Sequence, residues 1–292
     1  MKLTVIIASA GRPEILAETL RHLAQQERLP DELVISAPEA EDVPDLGSLG
    51  FPARCIYGTK GLAAQRNRAL DDALDSTDII TFFDDDFLPA RNYLALLEAS
   101  FRDHPEFSVI HGYVVADGAH NEGYSFEQGL STLAAAERTV NSETPVVIRD
   151  HAGAYGCNMS FRASQVGDLR FDERLALYGW QEDIDFTNQL GRQGRIVSIS
   201  NMLGVHLGVK AGRVNGTRLG YSQIANPIYL VRKGTMPAGF AAELLARNIT
   251  ANVVKSFWPE PWVDRRGRLG GNLIALSHVL RGRIEPEYVT KL

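Results

Sequence analysis

The strongest constraint on this chain is the order of its first hundred residues, where short apolar runs alternate with stretches whose apolar residues recur at helical spacing. Leu3 to Ala8 is a continuous apolar run that reads as a buried strand. Gly11-Arg12-Pro13 breaks it, and Pro13 suits the first turn of a helix whose Ile15, Leu16, Thr19, Leu20 and Leu23 share a face. Leu33 to Ser36 and Arg54 to Tyr57 read as further strands, and Gly61 through Leu74 as a helix with Leu62, Ala69, Leu70 and Ala73 inward. Ile79 to Phe83 makes a fourth strand ending in Asp84-Asp85-Asp86, after which Pro89 is expected to open the next helix, with Tyr93, Leu94, Leu97 and Phe101 on one side. Strands alternating with helices predict an α/β fold: a doubly wound, mainly parallel sheet of Rossmann-like type with helices on both faces.

The second half is less regular. Val109 to Val115, Pro145 to Arg149, Asn158 to Arg162 and Arg195 to Ser200 read as strands. Tyr124 to Val140 reads as a helix or an acceptor-side loop, and Gln181 to Leu190 as a helix with acids at its N-terminus, which the macrodipole favours. From Phe240 the pattern is helical again, interrupted by Pro259 and Pro261.

Composition narrows the function. A net charge of -6 argues against a general nucleic-acid binder. Two cysteines, Cys55 and Cys157, make neither a disulfide framework nor a zinc site and suit a reducing compartment. The apolar run after Met1 is too short for a signal peptide, and no stretch approaches the length of a membrane span. The expectation is a cytoplasmic protein, soluble or peripheral.

Chemistry concentrates in three places. In an open parallel sheet, ligands bind beyond the carboxyl ends of the strands, which is where Asp84, Asp85 and Asp86 fall. Adjacent carboxylates repel, and a divalent cation relieves the repulsion; oxygen ligands suit Mg2+ or Mn2+, which bridge phosphate oxygens. The alternative is a solvated loop in which Asp86 caps the following helix. The second place is Glu182-Asp183, where a carboxylate can accept a proton from an attacking hydroxyl, or merely charge the first turn of a helix. The third is His206 in Leu203-Gly204-Val205-His206-Leu207-Gly208, a structural histidine or a ligand that Mn2+ accepts beside carboxylates.

Taken in order, these motifs resemble those of family 2 glycosyltransferases of the GT-A fold, over about residues 1 to 235. Val5-Ile6-Ile7-Ala8-Ser9-Ala10-Gly11-Arg12 resembles the first nucleotide-binding segment, and Gly61-Leu62-Ala63-Ala64-Gln65-Arg66-Asn67-Arg68-Ala69 resembles the Gly-x-x-x-x-Arg-Asn helix start. Phe82-Phe83-Asp84-Asp85-Asp86 is similar to the Asp-x-Asp signature, Gly156-Cys157-Asn158-Met159-Ser160-Phe161-Arg162 to the sugar-binding floor, Glu182-Asp183 to the Glu-Asp motif, and His206 to a late metal histidine. The resemblance implies an inverting transfer of a sugar from a nucleotide diphosphate carrier, UDP by preference, to an acceptor hydroxyl. It implies Asp183 with Glu182 as the catalytic pair and Asp86 with His206 on the metal. Ala8, Arg12, Lys60, Arg66, Asp84 and Asp85 would meet the donor, and Asn158, Met159 and Trp180 the sugar or acceptor. Solvated helix ends are the alternative for Lys60 and Arg66, and a core aromatic for Trp180. One departure stands out: Leu33-Val34-Ile35-Ser36-Ala37-Pro38 lacks the acid that ends the family's second strand, the nearest being Glu39, Glu41 and Asp42.

Residues 236 to 292 are expected to form a helical extension to the catalytic domain. Leu269, Leu273, Leu276 and Leu280 follow Phe257, Trp258, Trp262 and the cluster Arg265, Arg266 and Arg268, an amphipathic pattern that suits either packing on the domain or an anionic membrane surface. The resemblance adds a saccharide or polyprenol-linked saccharide as acceptor, in surface polysaccharide or glycolipid assembly. Two rivals remain at this level. A sugar nucleotidyltransferase would want a glycine-rich loop after the first strand, where Ser9-Ala10-Gly11-Arg12-Pro13 offers one glycine. A non-catalytic carbohydrate-binding relative would not need the full set of acids.

Overall fold

A computed structural model describes residues 1–140, 144–151, 153–210 and 215–292. The chain folds into two compact units, one of residues 1–60, 64–170 and 187–212, the other of residues 61–63, 171–186 and 213–292. No helix among the described residues is long and apolar enough to cross a membrane.

The first unit is built on a mixed sheet. β1 (Leu3–Ala8), β2 (Glu32–Ala37), β3 (Ala53–Tyr57) and β4 (Ile79–Asp84) run parallel in the order β3-β2-β1-β4. Their helical connections are α1 (Pro13–Leu23) and α2 (Leu62–Ala73). The sheet then continues through β8 (Met159–Arg162), antiparallel to β4, to β6 (Phe107–Asp117), which runs parallel to β9 (Arg195–His206). β5 (Phe87–Pro89) and β7 (Val147–Asp150) pair antiparallel with β9. The expected α/β class and mainly parallel winding hold, and the antiparallel strands, β5 apart, fall in the half with the irregular sequence pattern.

Burial explains why the strand runs are unbroken. Val5, Ile7, Leu33, Ile35 and Phe83 pack with Leu16, Leu20 and Leu23 of α1 and with Leu94, Leu97 and Phe101 of α3 (Tyr93–Asp103). The alternating residues Ile6, Val34, Ile80 and Phe82 face the other way and are equally buried, so both faces of the sheet are covered. α4 (Phe126–Glu137) opens on a capping box in which Ser125 and Gln128 exchange side-chain and backbone bonds, and its Leu133 packs on Leu203, Val205 and Leu207 of β9 and the segment after it.

Two local expectations are corrected. Pro89 does not open a helix: it ends β5, and α3 begins after Asn92. Proline is tolerated there because β5 is a short strand at the end of the sheet order. The strand read at residues 195–200 runs on to His206, its register with β6 shifting at three points.

The second unit contains α6 (Gly216–Lys233), α7 (Ala238–Lys255) and α8 (Arg265–Leu280), while α5 (Glu182–Leu190) starts in it. Its core joins Tyr221, Ile224, Ala225 and Ala275 with Ile284 and Val289. The leucine stripe of α8 is split: Leu276 packs on the core beside the buried Gly271, Asn272 and Ala275, whereas Leu273 and Leu280 are exposed. Glycine is the reason. A side chain at Gly220 would run into the backbone of Arg268, and one at Gly271 into that of Thr217, so α6 and α8 meet backbone to backbone. Asn272 seals the contact, donating to the Gly220 carbonyl (2.7 Å) and accepting from Asn252 (2.9 Å).

Candidate active site

The site is assembled by strand register. Ala8 at the end of β1 lies opposite Asp84 at the end of β4. β5 pairs Phe87 with His206, which sets Asp86 beside the histidine across more than a hundred residues of chain. β6 pairs Asp117 with the same His206. Four polar residues, Asp84, Asp86, Asp117 and His206, from three stretches of sequence therefore meet where the strands end, as an open α/β sheet leads one to expect.

Asp84, Asp86 and His206 each offer a ligand atom, all within 4.8 Å of one another. His206 Nε2 stands 3.3 Å from Asp86 Oδ1 and 3.7 Å from Asp84 Oδ2. The other oxygen of Asp86 accepts the Val209 N–H at 2.8 Å, which fixes the carboxylate. Burial alone would lower the His206 pKa, but bonds to Asp117 and Asp86 and the charges of Asp86 and Asp84 raise it to about 10. Burial would likewise raise Asp86 and Asp117, yet His206 holds each at about 2. The imidazolium thus shares with Arg12 and Arg66 the balancing of the acids. Two carboxylates and an imidazole converging in this way can exchange that proton for a divalent ion of the Mg2+ or Mn2+ type.

Asp117 and Tyr155 were not singled out from the sequence. Asp117 Oδ1 lies 2.9 Å from His206 Nδ1, and the Tyr155 hydroxyl donates to Asp117 Oδ2 at 3.0 Å. Holding Nδ1 turns Nε2 toward Asp84 and Asp86, the arrangement by which a carboxylate orients a metal-binding histidine. Asp117 ends an apolar strand just as the triplet does, and that was the readable signal.

The triplet divides its labour. Asp85 is fully buried and faces inward: Ser9 Oγ donates to it at 2.6 Å, and Arg12 grips it through Nη2 (2.5 Å) and Nε (3.1 Å). Burial pushes Asp85 up to about 7 against the pull of Arg12. Arg12 also approaches Asp86 (3.6 Å), so the guanidinium braces the acids. Arg66 is buried, donates to Asp84 Oδ1 (3.2 Å) and the Gly156 carbonyl (2.9 Å), and lies over the Phe82 ring. Neither Asp85 nor Arg66 has the exposure that direct donor contact requires. Asn158 and Met159 are fully buried as well; Asn158 Nδ2 bonds the Gly112 carbonyl at 3.2 Å. These residues shape the wall rather than form its surface.

Lys60 does reach an open surface. A cleft of about 560 Å³ at the carboxyl ends of β1 to β3 is lined by Lys60 with Gly11, Pro38, Glu39, Asp42, Gly58 and Thr59. Glu39 and Asp42, two of the acids that follow the second strand, line this cleft, and Asp42 Oδ1 accepts the Gly11 N–H at 2.6 Å.

In the second unit, Glu182 and Asp183 open α5 after an unusual turn. Leu177 (φ 64°), Gly179 (φ 64°) and Gln181 (φ 74°) all adopt left-handed backbone within five residues. Such conformations cost about 1–3 kcal/mol at non-glycine positions and cluster at functional segments. Glu182 is buried, whereas Asp183 is half-exposed with Oδ1 accepting the Ile184 N–H at 2.9 Å. Asp185 is buried against Lys233 (2.7 Å) and serves the fold. Trp180 packs partly on Leu175, Leu230 and Met236, and its carbonyl accepts from Asn226 at 2.8 Å.

No curated protein matches the chain. Among solved structures, S. aureus TarS residues 1–349 superimposes with a TM-score of 0.58 at 15% identity, covering 99% of this chain and 82% of that one. The same protein crystallised with UDP-GlcNAc gives 0.56 at 14% identity, covering 97% and 93%. This chain spans 44% of the longer TarS chain. Mannosyltransferase PcManGT from Pyrobaculum calidifontis, in complex with GDP-Man and Mn2+, gives 0.51 at 17% identity, covering 99% and 78%. At such identities the likeness shows a shared GT-A fold. The sequence profile described as glycosyl transferase family 2 matches residues 4–159, more than half the chain and the stretch that carries β1 to β4 and the acidic triplet, so the chain belongs to that family.

Proposed function

We propose that the protein is a metal-dependent, inverting glycosyltransferase that moves a sugar from a nucleotide diphosphate donor, UDP by preference, to an acceptor hydroxyl. The observation that carries this reading is the convergence of Asp84, Asp86 and His206 at the strand ends of the unit that also holds the cleft lined by Lys60. The ligands of the fold neighbours, UDP-GlcNAc in one and GDP-Man with Mn2+ in the other, support the donor class and the metal.

Asp84, Asp86 and His206 would hold the cation, Mn2+ or Mg2+, which supplies charge to stabilise the departing nucleoside diphosphate. Arg12 and Arg66 fix the carboxylates, Lys60 meets the donor from the cleft, and Ala8 meets it from the end of β1. Asp183 accepts the acceptor's proton as its oxygen attacks the anomeric carbon, so that one displacement inverts the centre without a covalent sugar–enzyme intermediate. Glu182, buried beside it, sets the turn, and Trp180 borders the acceptor. The catalytic domain comprises residues 1–235, with 236–292 as a helical extension that would bind the acceptor or a membrane surface. A saccharide or polyprenol-linked saccharide is the acceptor class, in surface polysaccharide or glycolipid assembly at the cytoplasmic face of a membrane.

Calorimetry of UDP with Mn2+ tests the reading. Asp86→Ala is expected to abolish metal-dependent nucleotide binding, and unchanged binding would refute the metal assignment. Asp183→Asn is expected to bind donor normally while turnover falls about a hundredfold or more. Near-normal turnover would move the base elsewhere.

A further inference from the structure

The largest feature that sugar transfer leaves unused is apolar and lies at the turn between α7 and α8. Trp258 is 82% exposed, Phe257 68%, Val254 57% and Trp262 39%. The Phe257 and Trp258 rings stand 6.0 Å apart. Scattered apolar side chains on a surface need no explanation, but contiguous large aromatics do.

The turn is not loosely held. Glu260 receives Arg265 through Nη2 and Nε, both at 2.9 Å, and is also paired with Lys255. Arg265 reaches on to Asn252 (3.2 Å), and Asp264 caps α8 by accepting the Gly267 N–H at 2.8 Å. Polar groups are therefore engaged inside the turn while its apolar ones face out, the reverse of the ordinary arrangement.

The outer side of α8 continues the pattern. Arg266, Leu273 and Leu280 recur every seven residues and so share one side of the helix. All three are exposed, Leu273 at 60% and Leu280 at 89%, because the opposite side is occupied by the close approach at Gly220 and Gly271. Arg281 and Arg283, both exposed, follow Leu280. The charge of this part of the chain is distinctive: residues 213–292 carry twelve Lys and Arg against five Asp and Glu, a net +7 within a chain whose total is -6.

We infer that the α7–α8 turn and the outer side of α8 dock on an anionic phospholipid bilayer. Trp258 and Trp262 enter the boundary between headgroups and acyl chains, where an aromatic ring with one polar edge is best accommodated, and Phe257 adds purely apolar surface beside them. Leu273 and Leu280 lie along the surface, and Arg266, Arg281 and Arg283 pair with lipid phosphates. A soluble acidic protein would satisfy the arginines, but the aromatics stand on a turn and the leucines along a helix, a combination that suits the headgroup boundary of a bilayer. The inference stands apart from the transfer reaction, since none of these residues belongs to the proposed catalytic set.

Sedimentation of the full chain with vesicles of phosphatidylcholine alone, and of phosphatidylcholine with phosphatidylglycerol, provides the test. Wild type is expected to pellet with the anionic vesicles and to be released by salt. The double variant Phe257→Ser/Trp258→Ser is expected to lose about tenfold or more in partitioning, and Arg281→Gln/Arg283→Gln to lose the preference for the anionic lipid. Unchanged UDP binding and melting temperature in both variants establish that they are folded. Failure of wild type to pellet, or equal pelleting by the aromatic variant, overturns the inference. So does a smaller solution mass for the aromatic variant than for wild type, which would make the face a contact between copies of the chain.

Discussion

At the scale of single residues, the site depends on how one imidazole is aimed. His206 has two nitrogens, and Asp117 occupies Nδ1, leaving Nε2 for Asp84 and Asp86. Replacing Asp117 by Asn keeps the shape but removes the charge that selects this orientation. Asp117→Asn is accordingly expected to weaken Mn2+ affinity about tenfold to a hundredfold, measured by calorimetry on the protein alone, and to lower the melting temperature in EDTA at neutral pH, because its ion pair with His206 is lost. An unaltered affinity would show that Asp117 does not orient the histidine. The acidic triplet and His206 were legible in the sequence because residue type and position at strand ends suffice to mark them. Their division of labour was not. Nothing in three consecutive aspartates reveals that the middle one turns inward to Ser9 and Arg12, since that follows from the alternation of side chains once the strand end is fixed in space.

At the scale of elements, the site requires β6 and β9 to leave the sheet side by side, and glycine permits it. A side chain on Gly118, the residue after Asp117, would collide with the Leu207 carbonyl, while Gly208 holds left-handed backbone (φ 66°) against Gly118. Gly118→Ala must push the two segments apart and shift Asp117 from His206. The expected result is a loss of about 1–3 kcal/mol in chemical denaturation together with weakened Mn2+ binding. Stability lost with metal affinity intact would separate the packing from the site. The elements that periodicity revealed, from β1 through β4, are buried on both faces and carry unbroken apolar runs. α6 escaped because Gly216, Gly220 and Pro227 interrupt any apolar pattern, yet Gly220 is what lets it approach α8. The leucine spacing of α8 was real, but backbone contact through small residues took the inner side. A pattern of large apolar residues marks a core only when the partner surface needs filling.

At the scale of the whole molecule, the cluster of buried charge ties stability to pH. His206 is raised from 6.5 to about 10, so the folded state binds this proton more tightly than the unfolded chain does. Its contribution is complete below pH 6.5 and is lost as pH rises through 10. Asp86 and Asp117, held at about 2 from an ordinary 3.8, contribute above 3.8 and lose that contribution as pH falls through 2. Asp85, raised to about 7, is still titrating just above pH 7, so the interval from about pH 8 to 10 is the one in which the histidine dominates. In EDTA, wild type is expected to lose about 1.4 kcal/mol per pH unit across that interval relative to His206→Gln. Saturating Mg2+ is expected to reduce the decline, because a bound cation replaces the proton that His206 would otherwise need. Parallel pH profiles for the two proteins in EDTA would mean that His206 is neutral in the folded state, and the electrostatic account of the cluster would fail while its geometry stood.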